Sequence, residues 1–439
     1  MNSTNRFHIE SLGAPKFKSP LELSTLKGDH IFDFIRESDK LVFDLSMEHY
    51  QQCLKNGEEP LCLEKAGPRQ NLFFDSEKAT AAIVTCGGLC PGINNVIRGL
   101  VMALYYFYGV KKIIGVPYGY EGLNPEKGHE LVPLTPEKVK DIHQFGGTYL
   151  GSSRGAQDVS VMVDTLEKNK VDMLFAIGGD GTLKGVNALG EEISRRNAKI
   201  SVVGIPKTID NDIDLIDESF GFETAFDVAS PILRDAHNEA TGAYNGISII
   251  KLMGRDSGFI AASAALAMPV VNFVLIPEMD FALEGEKGFL KVLEQRLHEK
   301  KHAVIVVAEG AGQKLFKDRK IVKDASGNIQ HEDIGVLLKE KIVEYFEGKS
   351  PVTIKYIDPS YIVRCAPANS SDSVFCSRLA YQAVHGAMAG KTKFVASRVN
   401  NRYVYVPISE VTKKRKKIDI EGEFWFSVLQ STGQPFSLG

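Results

Sequence analysis

The chain has 439 residues, of which 44% are hydrophobic, 24% charged and 9% aromatic, and its formal net charge is -3. These values lie in the ordinary globular range and exclude wholesale disorder, a collagen-like fibre and a small disulfide-stapled scaffold. The length suggests about two to four domains. A net charge near zero gives no overall attraction to nucleic acid or to an anionic membrane, so we expect any anion-binding site to be local.

The opening sequence, MNSTNRFHIE, lacks the basic and then apolar pattern of a secretory signal, and no apolar run reaches the ~18–20 residues of a membrane span. The six cysteines form no CxxC pair, which argues against a disulfide framework or a cysteine-rich zinc site. The ten histidines are scattered and include no HExxH motif, so transition-metal catalysis is not expected. We expect a cytoplasmic protein with reduced thiols that binds neither nucleic acid nor membrane.

Residues 1–75 are polar and irregular, apart from a helical pattern at MEHYQQCLK. We expect them to form an N-terminal extension that packs on the body of the protein or on a neighbouring subunit.

After this extension, short apolar runs alternate with helix-like segments such as GINNVIRGLVMALYYF and GFIAASAALAM. Continuous apolar character is typical of strands that are buried on both faces in parallel sheets. The alternation predicts an α/β protein with two doubly wound, Rossmann-like, three-layer domains. The predicted strands are 81–85, 111–116, 172–177, 200–205, 247–252, 272–277 and 302–307.

Ligands of open α/β sheets collect at the carboxyl ends of the strands, and here those ends are rich in glycine and charge. The first strand is followed by TCGGLCPG (85–92) and a helix, an arrangement that can present backbone N–H groups to phosphate. Glycine at such a turn is common, so this motif alone is weak. It is neither the GxGxxG motif nor the P-loop motif.

The third strand is followed by GGDGT (178–182). Its glycines permit close backbone approach to a ligand, Asp180 offers a hard oxygen ligand for Mg²⁺, and Thr182 is expected to act as the N-cap of the following helix. A purely structural turn with an Asp cap is the alternative, but it would need only one of these features.

The fourth strand is followed by PKTIDNDI (206–213), in which Asp210 and Asp212 lie two residues apart. Two such close carboxylates repel each other unless their tasks differ, and a hydroxyl-activating base beside a metal phosphate is one such arrangement. A turn rich in Asn and Asp is an equally good reading of this motif alone.

Two later strand ends add Arg255 and Glu309. Arg255 is suited to bind a phosphoryl group, and Glu309 is suited to accept hydrogen bonds from sugar hydroxyls. Together the strand ends predict a site for phosphate, Mg²⁺ and a polar small molecule. The basic run at residues 413–417 could bind a polyanion, but we expect a solvated loop there.

The ordered motifs identify a family resemblance over residues 67–435. The sequence resembles the phosphofructokinases, and most of all their longer, atypical branch, which includes plant and trypanosomatid ATP-dependent enzymes. The motifs that carry this resemblance are GGLCPGINNVIRG, GYEGL, GGTYLGSSRG, AIGGDGT, GIPKTIDNDI, KLMGRDSGFIA, AEGAG, DPSYIVR, AGPR and STGQP.

The resemblance implies transfer of the terminal phosphoryl group of ATP to the 1-hydroxyl of fructose 6-phosphate, with Mg²⁺. Asp210 would be the general base and Asp180 the Mg²⁺ ligand, while Thr208 would lie beside the transferring group. The residues implied to cradle the nucleotide phosphates are Gly88, Arg154, Gly155, Gly179, Asp180, Gly181 and Thr182. Those implied to act in catalysis are Gly181, Lys207, Thr208, Asp210 and Arg255, with Arg255 stabilising the charge of the transferring group. Those implied to bind substrate are Thr208, Asp210, Met253, Gly254, Arg255, Glu309, Tyr361 and Arg364. Met253, Gly254 and Glu309 would line the sugar, and Tyr361 and Arg364 would receive its 6-phosphate.

The resemblance also implies that two domains bind different substrates. Residues 76–225, with part of 363–412, would form the phosphoryl-donor domain. Residues 226–362, with 413–439, would form the fructose 6-phosphate domain, and the active site would lie in the cleft between the two. A homodimer or homotetramer is expected.

The sequence departs from the short bacterial pattern at Gly246, where those enzymes bring an Arg across the subunit interface, and at Tyr361, where they use His for the 6-phosphate. Their allosteric site therefore cannot be carried over.

The phosphoryl donor is expected to be ATP. In pyrophosphate-using relatives the position of Gly181 is typically Asp, whose carboxylate fills the space of the nucleotide α-phosphate. Lys207 is shared with the pyrophosphate enzymes and with the atypical ATP enzymes, so it discriminates less. A pyrophosphate-dependent enzyme is the alternative.

An NAD- or lipid-kinase-like protein is disfavoured because it would lack PKTIDND and MGR together. A non-catalytic paralogue is disfavoured because Asp180, Asp210, Arg154 and Arg255 are all present.

Overall fold

The computed structural model describes residues 6–316, 322 and 330–439. Residues 1–5 of the expected N-terminal extension lie outside the described part. In chain order the strands are β1 (Glu10–Ser11), β2 (Phe17–Lys18), β3 (Lys40–Val42), β4 (Cys62–Lys65), β5 (Asn71–Leu72), β6 (Thr80–Thr85), β7 (Lys112–Val116), β8 (Val132–Pro133), β9 (Met173–Gly178), β10 (Ser201–Pro206), β11 (Gly246–Leu252), β12 (Phe273–Leu275), β13 (His302–Ala308), β14 (Thr353–Ile357), β15 (Lys391–Thr392), β16 (Phe394–Val399) and β17 (Arg402–Pro407).

The α-helices alternate with these strands. They are α1 (Met47–Asn56), α2 (Ile93–Met102), α3 (Pro136–Val139), α4 (Val159–Lys168), α5 (Asp180–Arg195), α6 (Phe222–Thr241), α7 (Phe259–Ala267), α8 (Phe289–Lys300), α9 (Ile334–Phe346), α10 (Ser360–Cys365), α11 (Ser370–Met388), α12 (Ile408–Val411) and α13 (Glu423–Thr432). A π-helical segment, Ala103–Phe107, extends α2. None of the helices formed by the described residues is long and apolar enough to cross a membrane.

The chain forms two compact units and passes between them several times. Unit 1 comprises Met1–Thr208, Ile213–Phe220 and Ser370–Arg415. Unit 2 comprises Ile209–Asp212, Gly221–Asn369 and Lys416–Gly439. The tetrapeptide Ile209–Asp212 thus belongs to unit 2, although the segments on both sides of it belong to unit 1. The donor and sugar roles expected for the two domains stay predictions.

Unit 1 is built on a nine-stranded mixed sheet with the order β3-β4-β17-β16-β10-β9-β6-β7-β8. The five strands from β16 to β7 are mutually parallel, and antiparallel strands flank them. Successive residues of a strand face opposite sides of a sheet. Ala82, Val84 and Leu174 accordingly cluster with Val163 of α4 and Leu183 of α5, which shows that helices cover one face.

Unit 2 is built on a smaller parallel sheet with the order β12-β13-β11-β14. Ile249 of β11 clusters with Leu293 of α8 and Leu338 of α9. The neighbouring Ser248 donates a hydrogen bond to the Ala236 carbonyl of α6, at 2.8 Å. Helices therefore lie on both faces of this sheet, which is the doubly wound arrangement that the sequence predicts.

The predicted strands are confirmed: all seven apolar runs coincide with β6, β7, β9, β10, β11, β12 and β13. Helix α1 lies at the predicted helical pattern. The extension packs on unit 1, because β1 pairs with β15, and β3 and β4 continue the large sheet from β17. The antiparallel edge of that sheet and strand β14 were not predicted, since their sequences mix polar and apolar residues.

Candidate active site

In unit 1 the glycine-rich loop after β6 is fixed by two other loops. The Gly87 N–H donates to the Ser153 carbonyl at 3.1 Å, and Lys207 Nζ donates to the Gly88 carbonyl at 2.6 Å. A Cβ atom on Gly88 would lie 3.4 Å from Arg154 Nη2, so the guanidinium stands directly beside this loop. The structure therefore brings together Gly88, Arg154 and Lys207, which come from three separate segments.

Gly155 and Thr208 complete the predicted residues near these loops. Gly155 is exposed and has a φ of 109°, a conformation that favours glycine. The Thr208 carbonyl accepts a hydrogen bond from Ser219 Oγ at 2.7 Å. This bond fixes the last residue of unit 1 before the chain enters unit 2.

Helix α5 begins at the end of β9 without a side-chain cap. Gly179 occupies the N-cap position and Asp180 is the first helical residue. Thr182 is the third helical residue and is only 6% exposed, so the expectation that it caps the helix is wrong. A helix start whose first N–H groups are not capped by a side chain can receive an anion, which agrees with the phosphate role expected for this turn.

The Asp180 carboxylate faces two cations. Its Oδ2 lies 2.9 Å from Lys184 Nζ and 3.8 Å from Arg415 Nη2. Neither cation was predicted from the sequence. Lys184 lies four residues after Asp180 on a predicted helix, a spacing that places two side chains on one face and could have indicated the contact. Arg415 carries no such signal because it comes from a distant segment.

The basic run at residues 413–417 forms the loop that we expected, with Lys413, Lys414 and Lys417 exposed, but some of its cations also pair with acceptors of the protein. Besides the contact of Arg415 with Asp180, Lys413 pairs with Glu410 at 2.5 Å, and Lys416 Nζ donates to Asn211 Oδ1 at 3.0 Å. Lys413, Arg415 and Lys416 thus each contact a carboxylate or amide oxygen of their own unit.

Gly181 is exposed at the start of α5. A Cβ atom built on it would have no heavy atom within 4 Å. The space over this residue is therefore open, and a side chain at this position would point into it.

In unit 2 the short segment Ile209–Asp212 places Asp210 beside the end of β11. Asp210 Oδ2 accepts from the Arg255 N–H at 3.3 Å, and its carbonyl accepts from Ser257 Oγ at 2.8 Å. The next carboxylate, Asp212, is buried. Within unit 2 the structure thus joins Asp210 to the MGRDSG motif.

The loops after β11 and β13 are in close backbone contact. The Gly310 N–H donates to the Gly254 carbonyl at 3.0 Å, and a Cβ atom on Gly310 would lie 1.9 Å from the Arg255 carbonyl oxygen. Glycine at position 310 is therefore required by this close approach. The contact brings Glu309 next to Gly254 and Arg255, as expected of a shared binding site.

Helix α10 brings the DPSYIVR motif to the same strand end. Arg364 Nε lies 3.1 Å from Met253 Sδ. Tyr361 lies one helical turn before Arg364 and is 81% exposed. The predicted sugar-phosphate residues therefore share one short helix, with Arg364 against β11 and Tyr361 open to solvent.

The electrostatics of Asp210 differ from those of an ordinary carboxylate. Burial and repulsion from Asp212 and Glu309 raise the pKa of Asp210 to about 7, although the Arg255 N–H and the charge of Arg364 partly oppose the shift. A carboxyl group with a pKa near neutrality is suited to accept a proton from a substrate hydroxyl.

Comparison with known proteins identifies the family. A family model described as phosphofructokinase matches residues 80–387. The chain belongs to the phosphofructokinase family. It is 50% identical to an ATP-dependent 6-phosphofructokinase of Borreliella burgdorferi, over 100% of this chain and 98% of that relative. It is 48% identical to the ATP-dependent 6-phosphofructokinase 1 of Arabidopsis thaliana, over 84% of this chain and 79% of the relative.

The solved structures of phosphofructokinases share the fold. A pyrophosphate-dependent phosphofructokinase from Marinobacter aquaeolei superposes with a TM-score of 0.67 at 22% identity, over 82% of this chain and 92% of that one. At this identity the likeness concerns the fold alone. It carries no information on the phosphoryl donor of this phosphofructokinase.

Proposed function

We propose that this protein is an ATP-dependent 6-phosphofructokinase, which transfers the terminal phosphoryl group of ATP to the 1-hydroxyl of fructose 6-phosphate. The observation that carries the proposal is that relatives of this name match it at 50% and 45% identity over 98% or more of the chain. The joining of Asp210, Arg255, Glu309 and Arg364 in unit 2 supports it.

Asp210 is proposed as the general base. Its raised pKa of about 7 means that the carboxylate can take the proton of the 1-hydroxyl as the oxygen attacks phosphorus. The new O–P bond then forms while the bond from the γ-phosphorus to the leaving β-phosphate oxygen breaks. The Arg255 N–H holds the carboxylate oriented, and we assign the Arg255 guanidinium to the charge that develops on the transferring group.

The residues of unit 1 fit Mg²⁺ bound together with a polyphosphate. Mg²⁺ is commonly held by one or two carboxylates, water and substrate phosphates, and Asp180 offers one carboxylate at the uncapped start of α5. The described residues contain no cluster of three or more His, Cys, Asp or Glu side chains suited to an all-protein metal site. When bound, Mg²⁺ would neutralise phosphate charge. Gly88, Arg154, Gly155, Gly179, Gly181 and Thr182 would hold the donor phosphates.

The choice of ATP over pyrophosphate rests on Gly181. The open space over this residue leaves room for the α-phosphate of a nucleotide, which the Asp typical of pyrophosphate-using relatives would fill. Lys207, which both kinds of enzyme share, donates to the Gly88 carbonyl and is buried, so its place is compatible with either donor. Pyrophosphate is therefore the second candidate donor.

A coupled assay of the purified protein tests the function. Fructose 6-phosphate and Mg²⁺ are supplied in parallel with ATP and with pyrophosphate, and formation of fructose 1,6-bisphosphate is followed. We expect turnover with ATP to exceed that with pyrophosphate by at least about a hundredfold, given the charge and space at Gly181. Faster turnover with pyrophosphate would overturn the donor assignment, and no turnover with either donor would overturn the function.

A homodimer or homotetramer and a cytoplasmic location are proposed from the family resemblance. Analytical ultracentrifugation measures the first directly, and a monomer at assay concentration would contradict it. Some plant relatives are named chloroplastic, so localisation is tested in the source cell by fractionation.

A further inference from the structure

Lys251 links three segments of unit 2: strand β11, the residue before α9 and the turn before α10. It lies on β11, two residues before Met253, and its side chain is 13% exposed. Its Nζ lies 2.5 Å from Asp333 Oδ2 and 3.0 Å from Asp358 Oδ2. The two carboxylates come from different parts of the chain, so one ammonium joins both to the strand.

Each of these carboxylates also holds the start of a helix. Asp333 caps α9, because its Oδ1 accepts from the N–H groups of Gly335 and Val336 at 3.0 and 3.1 Å. Asp358 Oδ1 accepts from the Ser360 N–H at 3.1 Å at the start of α10. The position of α10 on β11 is therefore tied to the ammonium of Lys251 through Asp358.

Helix α10 carries Arg364, and Arg364 contacts Met253, the residue directly after the strand that carries Lys251. The helix is thus held at both ends, by the Lys251–Asp358 ion pair with β11 at its start and by the contact of Arg364 with Met253, just after β11, at its end. A six-residue helix has little stability of its own, so its position depends on such tertiary contacts.

The charge of the ammonium is maintained in this environment. Burial disfavours it, but the hydrogen bonds to Asp333 and Asp358 outweigh burial and raise the pKa of Lys251. Burial likewise disfavours the Asp358 carboxylate, but the hydrogen bonds from Ser360 and from Lys251 outweigh burial and lower the pKa of this carboxyl group. Both partners are therefore charged across the working pH range.

We propose that Lys251 is a positioning residue for recognition of the sugar 6-phosphate: through Asp358 it holds α10 on β11, so that Arg364 stands in place before the substrate arrives. The inference rests on the proposed function, because it deepens the role given to Arg364. Lys251 itself touches no substrate in this proposal, and its effect is transmitted through the helix.

The first test is Lys251→Met, which keeps an unbranched side chain only one atom shorter and removes the charge. We expect KM for fructose 6-phosphate to rise about tenfold, since a displaced guanidinium loses a charge-assisted bond to the dianion. KM for ATP and kcat should stay within about threefold, because the donor loops belong to unit 1. Lys251→Arg should restore most of the affinity.

Lys355→Met is the matched control. Lys355 lies on the neighbouring strand β14 and pairs with Glu239 at 3.2 Å, with both side chains more than half exposed. Removing this lysine should leave both KM values unchanged. A general weakening of the sheet would instead affect both lysine variants.

A second variant keeps the proposal testable if Lys251→Met does not fold. Asp358→Asn retains an oxygen that can accept from the Ser360 N–H but loses the ion pair with Lys251. We expect it to raise KM for fructose 6-phosphate by about three- to tenfold. In the double variant the effects should not add, because both changes remove one interaction.

The outcomes separate this inference from the proposed function. If the wild type shows neither turnover nor a thermal shift with fructose 6-phosphate, the proposed function fails. If the wild type is active but both Lys251→Met and Asp358→Asn keep the wild-type KM for the sugar phosphate, the positioning role fails. Equal losses for ATP and fructose 6-phosphate, or additive effects in the double variant, would also overturn it.

Discussion

The two units present their proposed site residues in different ways. In unit 1 the residues assigned to the donor are mostly glycines and an uncapped helix start, and Asp180 is balanced by Lys184 and Arg415. In unit 2 the residues assigned to the sugar are charged side chains packed around Asp210, whose pKa is raised to about 7. The residues assigned in unit 1 thus offer backbone groups and open space, whereas those assigned in unit 2 offer several charged side chains close together. A substitution at the unit 1 residues should therefore change the kinetics with ATP. A substitution at the unit 2 residues should change kcat or the KM for fructose 6-phosphate.

The largest effect is expected at the base. Asp210→Asn removes the proton acceptor while preserving size and the hydrogen bond from the Arg255 N–H. We expect kcat to fall by about 10²–10⁴-fold with little change in the binding of fructose 6-phosphate. Steady-state kinetics and a binding titration measure the two quantities.

The surface carboxylate Asp235 provides the control for this variant, since it is 68% exposed on a helix of unit 2. Asp235→Asn should have wild-type kinetics. If Asp210→Asn kept kcat within threefold of the wild type, Asp210 would not be the base. The assignment of proton transfer to unit 2 would then be wrong.

The next effect tests the open space of unit 1. Gly181→Asp places a carboxylate where the nucleotide phosphate is expected, so kcat/KM for ATP should fall by on the order of a hundredfold while KM for fructose 6-phosphate changes little. Gly181→Ala is a sharp control, because a Cβ atom there meets no heavy atom within 4 Å. If the aspartate variant kept its ATP kinetics, the space over Gly181 would not be the donor site. If the alanine variant lost as much as the aspartate variant, backbone freedom rather than charge would be responsible.

A smaller effect is expected at the sugar phosphate. Arg364→Ala removes a charge-assisted contact to a dianion, which should raise KM for fructose 6-phosphate by about tenfold or more and leave KM for ATP unchanged. Arg234→Ala is the matched control, because Arg234 is 58% exposed on α6, and it should leave both KM values unchanged. An unchanged KM in Arg364→Ala would show that the DPSYIVR segment does not reach the 6-phosphate.

The sequence predicted those parts of the molecule that depend on local pattern. Seven buried strands are visible as apolar runs, and the residues that close them, such as Asp180, Asp210 and Arg255, lie at strand ends where an α/β fold collects ligands. The ion pairs made by Arg415 and Lys251 could not be predicted, because their partners come from distant segments and only the tertiary fold brings them together. The same holds for Ile209–Asp212, which interrupts unit 1 to join unit 2. The prediction that Thr182 caps α5 was wrong because Gly179 occupies the N-cap position and Thr182 already lies inside the helix.

The buried carboxylate of Asp210 should lower the stability of the folded protein when it is ionised. Burial and repulsion from Asp212 and Glu309 raise the pKa of Asp210 to about 7 in the folded protein, whereas an unfolded chain has an ordinary aspartate value near ~3.9. Between these values the folded state holds the proton more tightly than the unfolded state. The stability that this proton provides is therefore fully present below about pH 4 and is lost as the pH rises through about 7.

The Asn side chain of Asp210→Asn carries no charge at any pH. Without substrate, this variant should therefore be more stable than the wild type at pH 8, by on the order of 1–3 kcal/mol. The difference should shrink as the pH is lowered toward 5. Thermal unfolding midpoints at pH 5, 6, 7 and 8, with Asp235→Asn as the control, measure this dependence. A variant that is no more stable than the wild type at pH 8, or a difference that does not change with pH, would show that the Asp210 carboxylate is not destabilised by its surroundings, and the electrostatic contrast between the two units would have to be abandoned.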